Sequence, residues 1–180
     1  MNIKNIQNQI NVTADGIWGE QSKQALRAAL NAGKVIKITD NISLNELIIS
    51  PTAKRYGIDN IPNQAVLQNL IDSSVNLWQP AREILGQAMH ITSGYRSPQL
   101  NSKVGGAANS AHKFGYAIDF HCPKFGNTRQ IVQFLAKELP KKGIKFDQAI
   151  IEYPKSPNSW VHLGYKHPSG KQRGQVFVIG

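Results

Sequence analysis

The sequence predicts an α+β protein, because helical signals fill its first half, strand signals its second, and the two do not alternate. Three observations carry this. Apolar residues recur at helical spacing through 63–84. Residues 116–120 alternate as a strand does, and beyond residue 140 short apolar runs are parted by proline- and glycine-containing turns. The expected architecture is a small antiparallel sheet with flanking helices. A small helical unit over residues 1–34 precedes a main domain over 35–180.

Residues 4–33 open with Ile6, Ile10 and Val12, then turn through Asp15-Gly16-Ile17-Trp18-Gly19. A helix over Gln21 to Ala32 places Ala25, Leu26, Ala29 and Leu30 on one face, with Gly33 as its cap. Some thirty residues bury little area, so this unit is expected to lean on the rest of the chain. Residues 34–42 read as a short strand or linker, and Ser43 three residues before Glu46 is a capping box opening a short helix. After the break at Ile61-Pro62, the stripe Val66, Leu67, Leu70, Ile71, Val75, Leu77 and Trp78 marks the strongest helix, interrupted at Pro80 and resumed to about Leu85. Met89 to Ser93 is a strand, and Tyr116 to Phe120 another, with Ala117 and Asp119 sharing a face. Arg129 to Leu139 is a helix ended by Pro140. Phe146 to Tyr153, Ser159 to Tyr165 and Gln175 to Ile179 complete the strands.

Composition bounds the function. Of 180 residues, 41% are hydrophobic and 18% charged, which excludes a disordered or collagen-like chain. No apolar run is long enough to span a bilayer. The net charge of +10 points to an anionic partner. Nucleic acid is disfavoured, since the chain has no helix-turn-helix, zinc-finger or aromatic-interleaved basic motif. A single cysteine, Cys122, allows no internal disulfide and fits synthesis in a reducing compartment. The first residues lack the apolar stretch of a signal peptide, so the expectation is synthesis in the cytoplasm.

The chemistry concentrates in Ser110-Ala111-His112-Lys113-Phe114-Gly115-Tyr116-Ala117-Ile118-Asp119 and Trp160-Val161-His162-Leu163. A carboxylate in mid-strand is costly unless partnered, and a metal ion is one partner. Two imidazoles and a carboxylate suit zinc with a fourth position open, and zinc lowers the pKa of water to about 7. Glu152 is the candidate base. If strands 146–153 and 159–165 pair as a hairpin with an even residue sum, Glu152 lies opposite Trp160 or His162 and on the face of His162. An odd sum would put it on the wrong face.

Ser110-x-His112-x-x-Gly115-x-Ala117-x-Asp119 with Trp160-x-His162 resembles the zinc D-alanyl-D-alanine carboxypeptidase family, which is VanY-like and includes phage endolysin peptidases. Ser93-Gly94-Tyr95-Arg96-Ser97-Pro98, Asn101, Val104-Gly105-Gly106 and Phe146-Asp147-Gln148-x-Ile150-x-Glu152 extend the likeness, and Thr52-Ala53-x-Arg55-x-Gly57-Ile58-Asp59-Asn60 is similar to the endolysin branch. Residues 5–25 resemble the first half of a peptidoglycan-binding unit.

The resemblance implies Zn2+ held by His112, Asp119 and His162. It implies Arg96 on the substrate carbonyl, and Glu152 as the base that activates water and then protonates the leaving amine. Several branches place the acid three residues before the last histidine, where this chain has Ser159. Ser110, Asp147, Gln148 and Trp160 are candidates for contacting ligands or substrate. For Asp147, orienting a ligand histidine and simply starting a strand weigh equally. His90, His121 and His167 read as surface or strand-end residues.

The implied function is a zinc peptidoglycan peptidase of the endolysin type. It would act on stem peptides as a monomer, be drawn to anionic wall or outer-membrane polymers, and reach the wall by holin-type release from the host cytoplasm. The alternatives are a carboxypeptidase trimming D-Ala and a zinc-stabilised module that binds wall without cutting it.

Overall fold

The computed structural model describes residues 1–180. Eight α-helices and five strands form an α+β fold in which the helices gather before and on one face of a single sheet. The N-terminal unit forms α1 (Ile3–Gln9) and α2 (Glu20–Asn31), joined by a turn that the buried side chain of Gln7 knits together. Its amide donates to Asp15 Oδ1, the Ile17 carbonyl and Ser22 Oγ, while its oxygen accepts from the Gly16 amide. Trp18 docks the unit: its indole N–H donates to the Pro62 carbonyl and its amide to Gln64 Oε1. Ile3, Ile6, Ile10, Trp18 and Leu26 join the same hydrophobic cluster as the sheet, so residues 1–34 share the main core.

The linker contributes buried Ile36, Ile38 and Ile42 but only an isolated bridge, Lys37 with Ser43, in place of a strand. The capping box of Ser43 and Glu46 opens α3 (Leu44–Ile48), followed by α4 (Pro51–Tyr56). The long helix is not interrupted at Pro80. α5 (Gln64–Ser73) passes through a π-helical turn, Ser74–Trp78, into α6 (Gln79–Leu85) without leaving the helical region. The widened turn falls just before the proline, which has no N–H to give, and Gln79 bonds back to the Ser74 carbonyl. Ser74 Oγ donates to the Leu70 carbonyl, and the Trp78 indole donates to Leu163 in the sheet.

β1 (His90–Ser93), α7 (Pro98–Lys103), a 3-10 turn (Ala111–Phe114) and β2 (Ala117–His121) lead to α8 (Thr128–Lys141), which carries Pro140 within its last turn instead of ending before it. β3 (Gln148–Glu152), β4 (Trp160–Gly164) and β5 (Gln175–Ile179) follow. The sheet order is β1-β2-β4-β3-β5. Four strands are antiparallel, but β5 adds to β3 in parallel, so the sheet is mixed where an antiparallel one was expected. The chain must run back past the sheet over residues 165–174 to reach that edge.

Alternation gives the sheet two faces. Ile118, Phe120, Ala149, Ile151, Val161 and Leu163 enter the core, and α8 packs against β3 and β4 there. Asp119, His162, Ile150 and Phe177 form a row on the other face, with Trp160, Glu152 and Ile179 in the adjoining row.

Candidate metal centre

Asp119 and His162 are register partners on β2 and β4, so one face of the sheet places them side by side. His112 arrives from the 3-10 turn. Gly115 ends that turn at φ +72°, a conformation glycine adopts freely, and α5 holds the turn by bonds from Ser73 Oγ to the Gly115 carbonyl and from Asn69 to the Phe114 carbonyl. The three residues are buried, and their ligand atoms lie within 4.8 Å of one another. His112 Nε2 is 3.2 Å from Asp119 Oδ1 and 3.2 Å from His162 Nδ1, and His162 Nδ1 is 3.0 Å from Asp119 Oδ1. Tetrahedral zinc with bonds near 2.0 Å spaces its ligands about 3.3 Å apart, so this triangle fits zinc with little adjustment.

The surroundings set the tautomer. His112 Nδ1 sits 2.7 Å from the Gly94 carbonyl, which can only accept, so Nδ1 carries the proton and Nε2 turns a lone pair toward the centre. Gly94 itself allows no side chain: a Cβ there would come within 2.7 Å of the Leu47 Cα and closer still to its carbonyl oxygen. Burial lowers the His112 pKa and favours the neutral ring, the ligand form. Burial would raise Asp119, but its contacts with His112 and His162 outweigh that and keep it an ionised carboxylate.

Arg96 completes the inner group. Its Nη2 is 2.6 Å from Asp119 Oδ2 and its Nε donates to Ser93 Oγ at 2.9 Å, which leaves Nη1 without a protein partner. A register slip between Ile91 and Ser93 brings Ser93 opposite Asp119, within reach of that guanidinium. Asn60 fixes the segment from behind, donating to the Ile48 and Tyr95 carbonyls and accepting from the Ser97 amide.

Glu152 pairs with Trp160, the even-sum register, and so lies on the face of His162, with Oε1 4.0 Å from His162 Nδ1. Burial, then the charge of Asp119, pushes its carboxyl pKa up. Ser159, at the alternative position for the acid, instead donates to the Glu152 carbonyl and bonds Thr128 Oγ1, which braces the end of the hairpin.

These groups open into one cleft of about 710 Å3 that crosses the sheet from the β1 edge to the β5 edge. Ser110 and Trp160 line it. The Trp160 ring lies 5.1 Å from that of Tyr153, and its buried indole N–H has no partner. Asp147 and Gln148 are not brought to the centre. Asp147 is buried and clamped by Arg173 through two bonds of 2.7 Å, and Gln148 bonds Gln175. Sequence reasoning missed Tyr153 and Ile179 on the cleft, and the Gly94 carbonyl. Only the last had a signal, a glycine directly before Tyr-Arg.

None of the curated proteins matches this chain. The family model described as Peptidase M15 matches residues 40–163, a span that begins in the linker and ends one residue beyond His162. More than half of the sequence, including every residue that meets in the cleft except Ile179, thus falls inside the match: the chain belongs to the Peptidase M15 family and is a zinc metallopeptidase.

Proposed function

We propose that the protein hydrolyses a peptide bond in the stem or cross-link of peptidoglycan, as an endolysin-type peptidase made in a host bacterium's cytoplasm and admitted to the wall by holin-type release. The observation that carries the hydrolytic reading is the convergence of Glu152 and Arg96 on the buried His112–Asp119–His162 triangle in one open cleft. The endolysin setting is supported by the motifs around Arg55 and Asn60. Attraction to anionic wall polymers is supported by Lys142, Lys145, Lys166 and Lys171, which carry positive charge on the loops at the far end of the sheet.

Zinc, when bound, supplies a Lewis acid that polarises a carbonyl and acidifies a water. The chain's own residues do the rest. His112, Asp119 and His162 would hold the ion, with Gly94 fixing the His112 tautomer. Glu152, desolvated yet open to the cleft, takes a proton from the attacking water as the C–O bond forms. It returns that proton to the departing nitrogen as the C–N bond breaks. The free Nη1 of Arg96 is placed to bond the carbonyl oxygen as negative charge develops on it. A binding module would need neither a free guanidinium nor a raised carboxyl in its cleft.

The test is digestion of purified peptidoglycan by zinc-loaded protein, with mass spectrometry of the fragments. New amino and carboxyl ends at one bond are expected, abolished by chelator and restored by zinc. Glu152→Gln should keep one zinc per chain by elemental analysis and lose activity by about 100-fold or more. Release of D-Ala alone would make the protein a carboxypeptidase. Intact stems with protein still bound to the sacculus would make it a binding module.

A further inference from the structure

We infer that Tyr153, Trp160 and Ile179 form an apolar subsite for the hydrocarbon side chain of the residue on the amine side of the scissile bond, an inference that rests on the peptidase reading above. Register places Ile179 on β5 directly beside Glu152 on β3, which in turn lies beside Trp160 on β4. All three of these, with Tyr153, line the cleft. Ile179 is 40% exposed and Phe177, in the next row, is 36% exposed, so the face continues outward as uncovered hydrocarbon.

Tyr153 holds φ +50°, an unusual backbone for a bulky residue, immediately after the candidate base. Two contacts keep it there. Its amide donates to the Ile179 carbonyl at 2.7 Å, and its ring packs on Trp160. The strained residue thus ties the end of β5 to the hairpin and turns an aromatic ring to the cleft wall. Apart from Glu152 itself, no charged group lines this side of the cleft, whereas Arg96 lies toward β1.

The direction of the reaction assigns the occupant. Glu152 gives its proton to the departing nitrogen, so the residue carrying that nitrogen lies beside Glu152 and along this wall. An anionic side chain there would face a carboxylate with no cation to receive it. A methyl or methylene group would instead be removed from water against Ile179 and the two rings. In peptidoglycan the groups of this kind are the methyl of alanine and the methylene chain of a diamino acid.

Digestion of purified peptidoglycan first identifies the bond. Synthetic peptides spanning it are then varied only at the amine-side residue, as D-alanine, D-lysine or D-aspartate. Wild-type protein should cleave the D-alanine or D-lysine peptide with kcat/KM about 10-fold or more above the D-aspartate one, and the better of the two names the natural group. Ile179→Asn removes the hydrocarbon without adding a charge beside Glu152, and it should raise KM about 10-fold with a smaller change in kcat, while Ile179→Leu should bring KM back to within about 3-fold of wild type. Since Ile179 is partly exposed, thermal unfolding of both variants should match wild type, which separates a subsite loss from misfolding. In metal-free protein, titration with the D-alanine peptide should change tryptophan fluorescence, and Ile179→Asn should abolish the change. Cleavage at a defined bond with equal KM for all three peptides, or an unchanged KM in Ile179→Asn, overturns the subsite alone. No cleavage of any bond overturns the peptidase reading and the subsite with it.

Discussion

Among the residues of the centre, His112 has the most demanding environment. Its ring is buried, its Nδ1 is committed to a carbonyl, and its Nε2 faces a carboxylate and a second imidazole. Burial holds its pKa below the ordinary 6.5. Without metal, the folded protein therefore keeps this ring neutral at a pH where the unfolded chain's imidazole takes up a proton. Below about 6.5 the unfolded state binds more protons, and stability falls as pH falls. Asp119 adds to the trend only in stronger acid, since its depressed pKa matters below the ordinary carboxylate value. The raised carboxyl of Glu152 contributes in the opposite sense, so chelator-treated Glu152→Gln protein is the clean test: it should unfold at a lower temperature at pH 5.5 than at pH 7.5, read by circular dichroism. Equal midpoints would mean that the buried imidazole is not neutral as described.

Elements, not single side chains, fix the site's geometry, and one close joint lies where the end of β1 meets α3. The Tyr95 amide donates to the Leu47 carbonyl at 2.6 Å, and the preceding Gly94 lies flat against the same residue. Gly94→Ala must push α3 and β1 apart, which displaces the carbonyl that orients His112. A loss of about 1–3 kcal/mol in stability is expected, with weaker zinc retention, measured by denaturant unfolding and by dialysis against chelator. A variant that unfolds and holds zinc as wild type does would show that the joint has slack. Much at this scale was legible in the sequence. The His112-to-Asp119 spacing and the Ser43 capping box follow from local pattern, whereas the sequence left the hairpin parity open and the register made it even, turning Glu152 toward His162. What was not legible depends on distant partners. Alternation in residues 175–179 marks a strand but not whom it joins or in which direction, so the parallel edge and the Ile179 wall stayed hidden. Asp147 looked like a possible support for the ligands because its partner, Arg173, lies 26 residues away. The helix through Pro80 survives because a π turn absorbs the missing donor, a choice that periodicity does not encode.

At the scale of the whole molecule, one core runs from Ile3 to Leu163, so the N-terminal helices and the sheet stand on common packing. The three residues of the candidate centre stand on different parts of that packing: His112 on a turn held by α5, Asp119 in the sheet interior, and His162 on a neighbouring strand 50 residues further on than His112. An unfolded chain brings no three of them within reach of one ion, and closing a loop of that length costs entropy before any bond repays it. The order of assembly follows. The expected order is that the polypeptide folds first and takes up metal afterwards, unlike a zinc finger, which folds around its ion. Refolding from denaturant should therefore proceed at the same rate with zinc or with chelator present, with catalytic competence lagging behind native circular dichroism when zinc is added last. Refolding that required zinc would reverse that order. In the expected order, loading of the ion, rather than refolding of the chain, is the step that would switch this peptidase on.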